Sequence, residues 1–321
     1  MFSKIIDHYA LHSLHKRKSL ETQFAVPLLS TDNINREEFY HTEISILKTK
    51  INADYQSNTY SFASLIASEF PENDYVKGEV FLRNNNAETP NIIFIHGWRM
   101  NSHSKLKSIY HDKMSKLGWN LYYFTLPYHM ERTPPHSRYS GELMISANMD
   151  RTVYATKQSI IDLRILIHGI KETNDGPVVL VGVSLGGWIT NLAATLESEI
   201  DAIISLFYAN RLAESIWNTL PGKYIKADFL NAGIEYEELV NRWEITDPSG
   251  ALPKIKQDNI LLISGKHDQF ISQEDADYLW HCWGKPTRLV YNCGHSGIVL
   301  RQKKIAEDTI SFIQERVLRS L

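Results

Sequence analysis

The stretch Val178-Val-Leu-Val-Gly-Val-Ser184-Leu-Gly-Gly187-Trp-Ile-Thr190 constrains this chain more than any other. A β-branched apolar run enters Gly182, and a run compatible with a helix leaves Gly187. Between them lies G-x-S-x-G, with Ser184 at its centre. This order needs a strand-to-helix turn so tight that the serine takes up strained backbone and exposes its hydroxyl. The residues two before and two after must be tiny, so that strand and helix can approach each other. The hydroxyl then lies near a helix N-terminus, where free backbone N–H groups stabilise negative charge. The simpler alternative is a glycine-rich turn whose serine merely caps a helix. A phosphate loop does not fit, because no Lys-Ser/Thr pair closes the turn and no G-x-G-x-x-G is present. A nucleophilic serine requires more of the chain: a base, an acid and an oxyanion hole, each in its place.

The composition is that of a globular protein: 321 residues, 43% hydrophobic and 22% charged. A chain of this size buries a core without staples, and a single α/β domain of this length is ordinary. The formal charge of −3 argues against a nucleic-acid surface. Cys282 and Cys293 are too few for a disulfide framework, so a cytoplasmic, reducing location is expected. No apolar stretch reaches membrane-spanning length, and the first residues lack the apolar region of a secretory signal. The 13 histidines are scattered and show no metal-ligand spacing, so no metal site is expected.

Read in order, Phe2, Ile5, Ile6, Tyr9 and Leu14 recur at roughly helical spacing. Residues 1–38 are expected to be a helical extension packed on the sheet edge rather than a basic helix lying on lipid. Tyr40–Leu47 and Lys77–Leu82 are predicted early strands, with a polar, undefined segment between them. Asn91–His96 is a short buried strand; Ser104–Leu117 a helix; Asn120–Leu126 a strand. Pro127 to Gly141 is predicted as a loop, followed by a helical stripe through His168. After the serine-bearing strand come a helix to about Glu197 and strands at Ala202–Phe207, Asn259–Ile263 and Thr287–Tyr291. Alternation of strand and helix signals a mostly parallel sheet covered on both faces. About fifty residues separate Phe207 from Asn259, too many for a simple crossover. Residues 209–256 are therefore expected to form a small helical cap over a site.

Asp268, in Ser264-Gly-Lys-His-Asp268-Gln, follows a buried strand through a glycine and is the candidate acid. Ser272-x-x-Asp275 beyond it resembles a capping box, leaving Asp268 in the loop at the strand's C-terminal end, where α/β sheets bind ligands. His295, in Cys293-Gly-His295-Ser-Gly297, also follows a strand and is the candidate base. An imidazole both accepts and donates a proton near neutrality. The chain order Ser184, Asp268, His295 is that of nucleophile, acid and histidine. Ile95-His96-Gly97-Trp98 follows a central strand, where a backbone N–H must face a developing oxyanion. The expected donors are the N–H groups of Trp98 and Leu185, with His96 holding the loop by hydrogen bonding.

These motifs, His96-Gly97, Gly182-x-Ser184-x-Gly186-Gly187, Gly265-x-x-Asp268 and Gly294-His295, resemble the α/β-hydrolase superfamily over residues 78 to 321. The dienelactone-hydrolase and prolyl-oligopeptidase-like branch is the nearer kin suggested. The resemblance implies an eight-stranded sheet flanked by helices, a Ser-His-Asp triad, an acyl-enzyme intermediate and no cofactor. It implies a serine hydrolase acting on a small ester-type substrate, or on a thioester or amide. An acyltransferase using the same acyl-enzyme and a non-catalytic binding protein of the same fold are the alternatives. In the superfamily the loop after the strand at 120–126 often reads Asp-x-x-Gly-His-Gly. Here it reads Leu126-Pro-Tyr128-His129-Met-Glu-Arg132. Tyr128, His129 and Arg132, with His96, are candidate substrate-binding residues; the competing expectation is a rigid, internally bonded loop. Cys293 is expected to be a buried, inert thiol.

Overall fold

The computed structural model describes residues 7, 24–28, 34–43, 51–83 and 88–318. The predicted N-terminal helix over 2–14 therefore lies outside the described residues, except for Asp7. Asn35 caps a short helix, α1 (Arg36–Phe39), by accepting from the Glu38 N–H, with Glu37 and Glu38 in the first turn. This capped turn runs into Tyr40, where a strand was expected; His41–Glu43 are not in a strand, and 44–47 lie outside the described residues. Strands β1 (Asn52–Asp54) and β2 (Thr59–Ala63) occupy the segment that the sequence left undefined. Their turn is closed by Asp54, whose carboxylate accepts from the Gln56 N–H at 2.9 Å, and by Asn58 at φ 55°. Asx turns of this kind build hairpins from polar residues.

The order then follows the predicted alternation: β3 (Tyr75–Phe81), β4 (Asn91–Ile95), α2 (Ser104–Lys116), β5 (Asn120–Phe124), α3 (Met149–Thr173), β6 (Val178–Val183) and α4 (Leu185–Ala194). Next come β7 (Ala202–Leu206), helices α5 (Leu212–Asn218), α6 (Lys223–Asn231) and α7 (Tyr236–Trp243), then β8 (Ile260–Gly265), α8 (Gln273–Cys282), β9 (Thr287–Tyr291) and α9 (Gln302–Ile313). Among the described residues the strands form one sheet of nine, in the order β1-β2-β3-β5-β4-β6-β7-β8-β9. That corrects the expected eight by one strand; at the hairpin end β1, β2 and β3 run antiparallel. From β5 to β9 every pairing is parallel. The fold is that of an α/β-hydrolase. Among the described residues, no helix is long and apolar enough to cross a membrane.

Central strands are apolar throughout because successive side chains point to opposite, equally covered faces. Ile93, Leu180, Ile203 and Leu262 enter one core with α3, α4 and α5–α7. Ile92, Phe94, Val179, Ile204 and Leu261 enter the other, with Leu106, Ile109 and Met114 of α2 and Ile305 and Ile313 of α9. Helices α5–α7 belong to the first core rather than standing apart from it. Trp243 of α7 is fully buried, meets Phe229 edge-on at 5.9 Å, and donates its indole N–H to the Met149 carbonyl at 3.3 Å. Trp188 of α4 makes the matching bond to the Thr246 carbonyl at 3.1 Å. Trp243→Ala is expected to cost about 3–5 kcal/mol of stability, read as a lowered urea midpoint.

Candidate active site

The sheet's C-terminal edge gathers the loops that leave β4, β6, β8 and β9, where α/β sheets open a crevice. Ser184 follows β6 directly at φ 57°, ψ −116°, and precedes the first residue of α4. A non-glycine residue in that region is strained, and the surrounding contacts hold it there. A Cβ on Gly186 would lie 2.1 Å from the Ile95 carbonyl oxygen, and one on Gly182 would lie 2.2 Å from that of Gly186. Only glycine permits β4, β6 and α4 to meet this closely.

The structure brings Ser184, Asp268 and His295 together. With Nδ1 protonated, His295 donates to Asp268 Oδ2 at 2.7 Å and its Nε2 lies 3.0 Å from Ser184 Oγ. The other oxygen of Asp268 accepts from the Phe270 and Ile271 N–H groups at 2.8 and 3.0 Å. The imidazole is packed by Phe270, stacked at 4.6 Å, and by Phe207, edge-on at 5.8 Å. Burial pulls its pKa down, but the charge and hydrogen bond of Asp268, with added charge from Asp7, more than offset this. The His295 pKa is raised above the ordinary 6.5. Gly97 lies against the serine, a Cβ there falling 3.4 Å from Ser184 Cβ. Trp98 follows it, its indole donating to the Gly141 carbonyl at 2.8 Å. Leu185 opens α4, so its N–H has no intrahelical acceptor. Ser184, Leu185, Trp98 and His295 all line one cavity of about 600 Å³. Ile145, Phe207, Leu212, Ile216 and Ile298 give it apolar walls.

Four candidate binding residues are placed elsewhere, which corrects that expectation. His96, Tyr128, His129 and Arg132 are buried, and none lines the cavity. His96 donates from Nδ1 to the Gly97 carbonyl at 2.8 Å and accepts at Nε2 from the Leu126 N–H at 3.1 Å. Both ring nitrogens are thus used, and burial lowers its pKa to about 4, so it is neutral at pH 7. His129 is bonded likewise, to the Pro127 carbonyl at 2.8 Å and the Arg99 N–H at 3.3 Å. Tyr128 packs on Phe70 and holds Asn73 through its backbone N–H. Arg132 pairs with Asp162 at 2.8 Å and donates to the Asn73 and Thr125 carbonyls. The loop after β5 is internally bonded. Arg132 faces inward because a buried guanidinium needs every donor matched, and α3 supplies the carboxylate.

The polar groups that do reach the cavity include Arg99 and Lys105, which the sequence did not single out. Arg99 has φ 60°, and its guanidinium lies between the Trp98 and Tyr139 rings, at 4.6 and 3.9 Å from their centroids. Trp98-Arg99 adjoining the β4 turn was visible in sequence; Tyr139, forty residues later, was not a readable partner. Cys293 is buried, and burial pushes its thiol up to about 11, so it is no nucleophile at neutral pH.

No family model matches the chain. It is 63% identical over 116 residues to the uncharacterized protein YdjC of Bacillus subtilis, covering 36% of this chain and all of that protein. The uncharacterized protein Rv2627c of Mycobacterium tuberculosis is 27% identical over 192 residues, covering 58% of this chain and 44% of that one; the chain therefore spans less than half of that relative. Among solved structures, the acetyl xylan esterase from Paenibacillus sp. R4 superposes with TM-score 0.64 at 16% identity, over 93% of this chain and 98% of that one. Acetyl xylan esterase 1 from Thermoanaerobacterium sp. JW/SL YS485 gives 0.63 at 13% identity, over 88% and 93%. The acylaminoacyl peptidase of Pyrococcus horikoshii gives 0.56 at 15% identity, over 83% and 42%. At such identities the likeness concerns the fold.

If Arg132 serves the fold rather than a substrate, Arg132→Met leaves Asp162 buried without its counter-charge, with the Ser64 hydroxyl still donating to it. The expected loss is about 3–5 kcal/mol in urea unfolding; unchanged stability would refute the structural role.

Proposed function

The chain belongs to the same family as YdjC of Bacillus subtilis and has an α/β-hydrolase fold, and from that premise we propose that it is a serine hydrolase of small carboxylic esters. The observation that carries this reading is the hydrogen-bonded chain Asp268–His295–Ser184, at 2.7 and 3.0 Å, opening on an apolar cavity. Ser184 Oγ attacks the ester carbonyl as His295 Nε2 takes its proton. Asp268 holds the ring in the Nδ1-protonated tautomer and stabilises the imidazolium. The Leu185 and Trp98 N–H groups receive the oxyanion of the tetrahedral intermediate. Collapse expels the alcohol, protonated by His295, and leaves an acyl-enzyme. Water, deprotonated by His295, attacks that ester, and the acid departs as Ser184 is regenerated.

Residues 209–256 act as a cap in this proposal. Leu212, Ser215, Ile216, Thr219 and Pro221 supply one side of the cavity, so this insertion shapes the acyl or alcohol subsite. The volume of about 600 Å³ suits a small-molecule ester. The neighbouring folds of the acetyl xylan esterases favour a short acyl group over a long chain.

A fluorophosphonate probe tests the nucleophile. The wild type is expected to be labelled and Ser184→Ala not; equal labelling of both would refute the assignment. With p-nitrophenyl acetate, Asp268→Asn is expected to lower kcat by about 10⁴-fold. Protonated His295 accepts no proton, so kcat/KM is expected to fall as pH drops through the His295 pKa. That acid limb is expected above the ordinary imidazole value of 6.5; a rate independent of pH across it would exclude His295 as the base.

A further inference from the structure

Asp7 lies far from the site in sequence and against it in space. Its side chain is wholly buried. Oδ2 accepts from the His295 N–H at 2.9 Å and the Gln269 N–H at 3.3 Å, and Oδ1 accepts from the Ser296 N–H at 2.8 Å. One carboxylate thus ties the loop of the acid, through the residue after Asp268, to the loop of the histidine. A second observation is Gly294. Its φ of −92° is open to any residue, so backbone strain does not call for glycine there. Yet a Cβ at 294 would fall 2.3 Å from Asp7 Oδ2 and 2.7 Å from its Cγ. The missing side chain is the space the carboxylate fills.

We propose that Asp7 is a positioning residue of the hydrolytic site, its carboxylate clamping the acid loop to the histidine loop and setting a second negative charge behind the His295 ring. The inference rests on the Ser184–His295–Asp268 reading above. Backbone N–H groups satisfy a buried carboxylate well, and among the described residues three of them anchor the clamp. Around the imidazole, Asp268 from the β8 loop and Asp7 from the N-terminal segment favour the protonated ring, while Lys105 at the start of α2 opposes it. The neighbouring Cys293 thiol stays neutral. Asp7 touches no reacting atom; it acts by fixing where the histidine stands and how readily its ring holds a proton.

The test compares the wild-type chain with Asp7→Asn and Asp7→Glu. Asp7→Asn keeps the shape but turns an N–H donor toward backbone donors and removes the charge. It is expected to lower kcat for p-nitrophenyl acetate at least about tenfold, as misplacement of a catalytic group does, with KM within about twofold. The acid limb is expected to move down by about half a unit or more, whereas Asp7→Glu, which keeps the charge, leaves it in place. The same downward shift is expected in an NMR titration of the His295 imidazole in a Ser184→Ala background, which needs no turnover. Wild-type kcat and wild-type imidazole titration in Asp7→Asn would overturn the proposal, as would a lowered melting temperature with kcat and limb unchanged. If Asp7→Asn does not fold, Asp7→Glu decides: reduced kcat with an unmoved limb supports the clamp, and wild-type kcat overturns it. A wild type that resists the fluorophosphonate fails the hydrolase reading instead, and the imidazole titration still reports on Asp7.

Discussion

The close approach of β4, β6 and α4 at Ser184 is the constraint on which the other parts depend. The serine's backbone, at φ 57°, is unfavourable for a residue with a side chain and persists only because its surroundings leave no alternative. Gly186 sits against the Ile95 carbonyl and Gly182 against that of Gly186, so neither strand nor helix can retreat without opening a void in a packed sheet. Ser184 also donates its N–H to the Leu206 carbonyl at 2.8 Å, tying the turn to β7. Strain at this one residue is thus balanced by a core on each face of the sheet. The same geometry frees the Leu185 N–H at the start of α4 and brings Gly97 and Trp98 alongside.

Around that turn, buried polar groups stabilise loops that apolar packing alone does not shape. His96 and His129 spend both ring nitrogens on backbone partners. Arg132 spends its donors on carbonyls and on Asp162. A histidine held neutral by burial is a compact donor–acceptor bridge, and two of them shape the loops after β4 and β5 without entering the cavity. The residues whose chemistry looks most reactive in the primary structure are, in these loops, the scaffold. His295 differs in one respect: its ring is partnered by a carboxylate rather than by carbonyls, which raises its pKa where burial alone would lower it.

The helices of residues 212–243 share the core with α3 and the sheet while contributing one wall of the cavity. Trp188 and Trp243 fasten them through indole hydrogen bonds to main-chain carbonyls. Leu212 and Ile216 are among the side chains that this wall presents to the cavity.

Periodicity and glycine placement determined the alternating parallel sheet, the turn at Ser184, and the strand ends bearing Asp268 and His295. Each of these depends on neighbours in sequence: an apolar run, a glycine, a capping serine. Ser272 caps α8 by accepting from the Asp275 N–H at 3.0 Å, as the local pattern anticipates. Only the tertiary structure decided which polar residues face the cavity. The direction of Arg132 depends on Asp162, thirty residues away on α3, and that of Arg99 on Tyr139. Nor does local pattern reveal the hairpin of β1 and β2, whose turn is closed by a side chain, or the turn of helix that Asn35 caps ahead of Tyr40. Asp7 is the extreme case, a carboxylate 288 positions from the N–H it binds. Such contacts carry no sequence period, because a hydrogen bond across the fold constrains two residues in space and nothing between them.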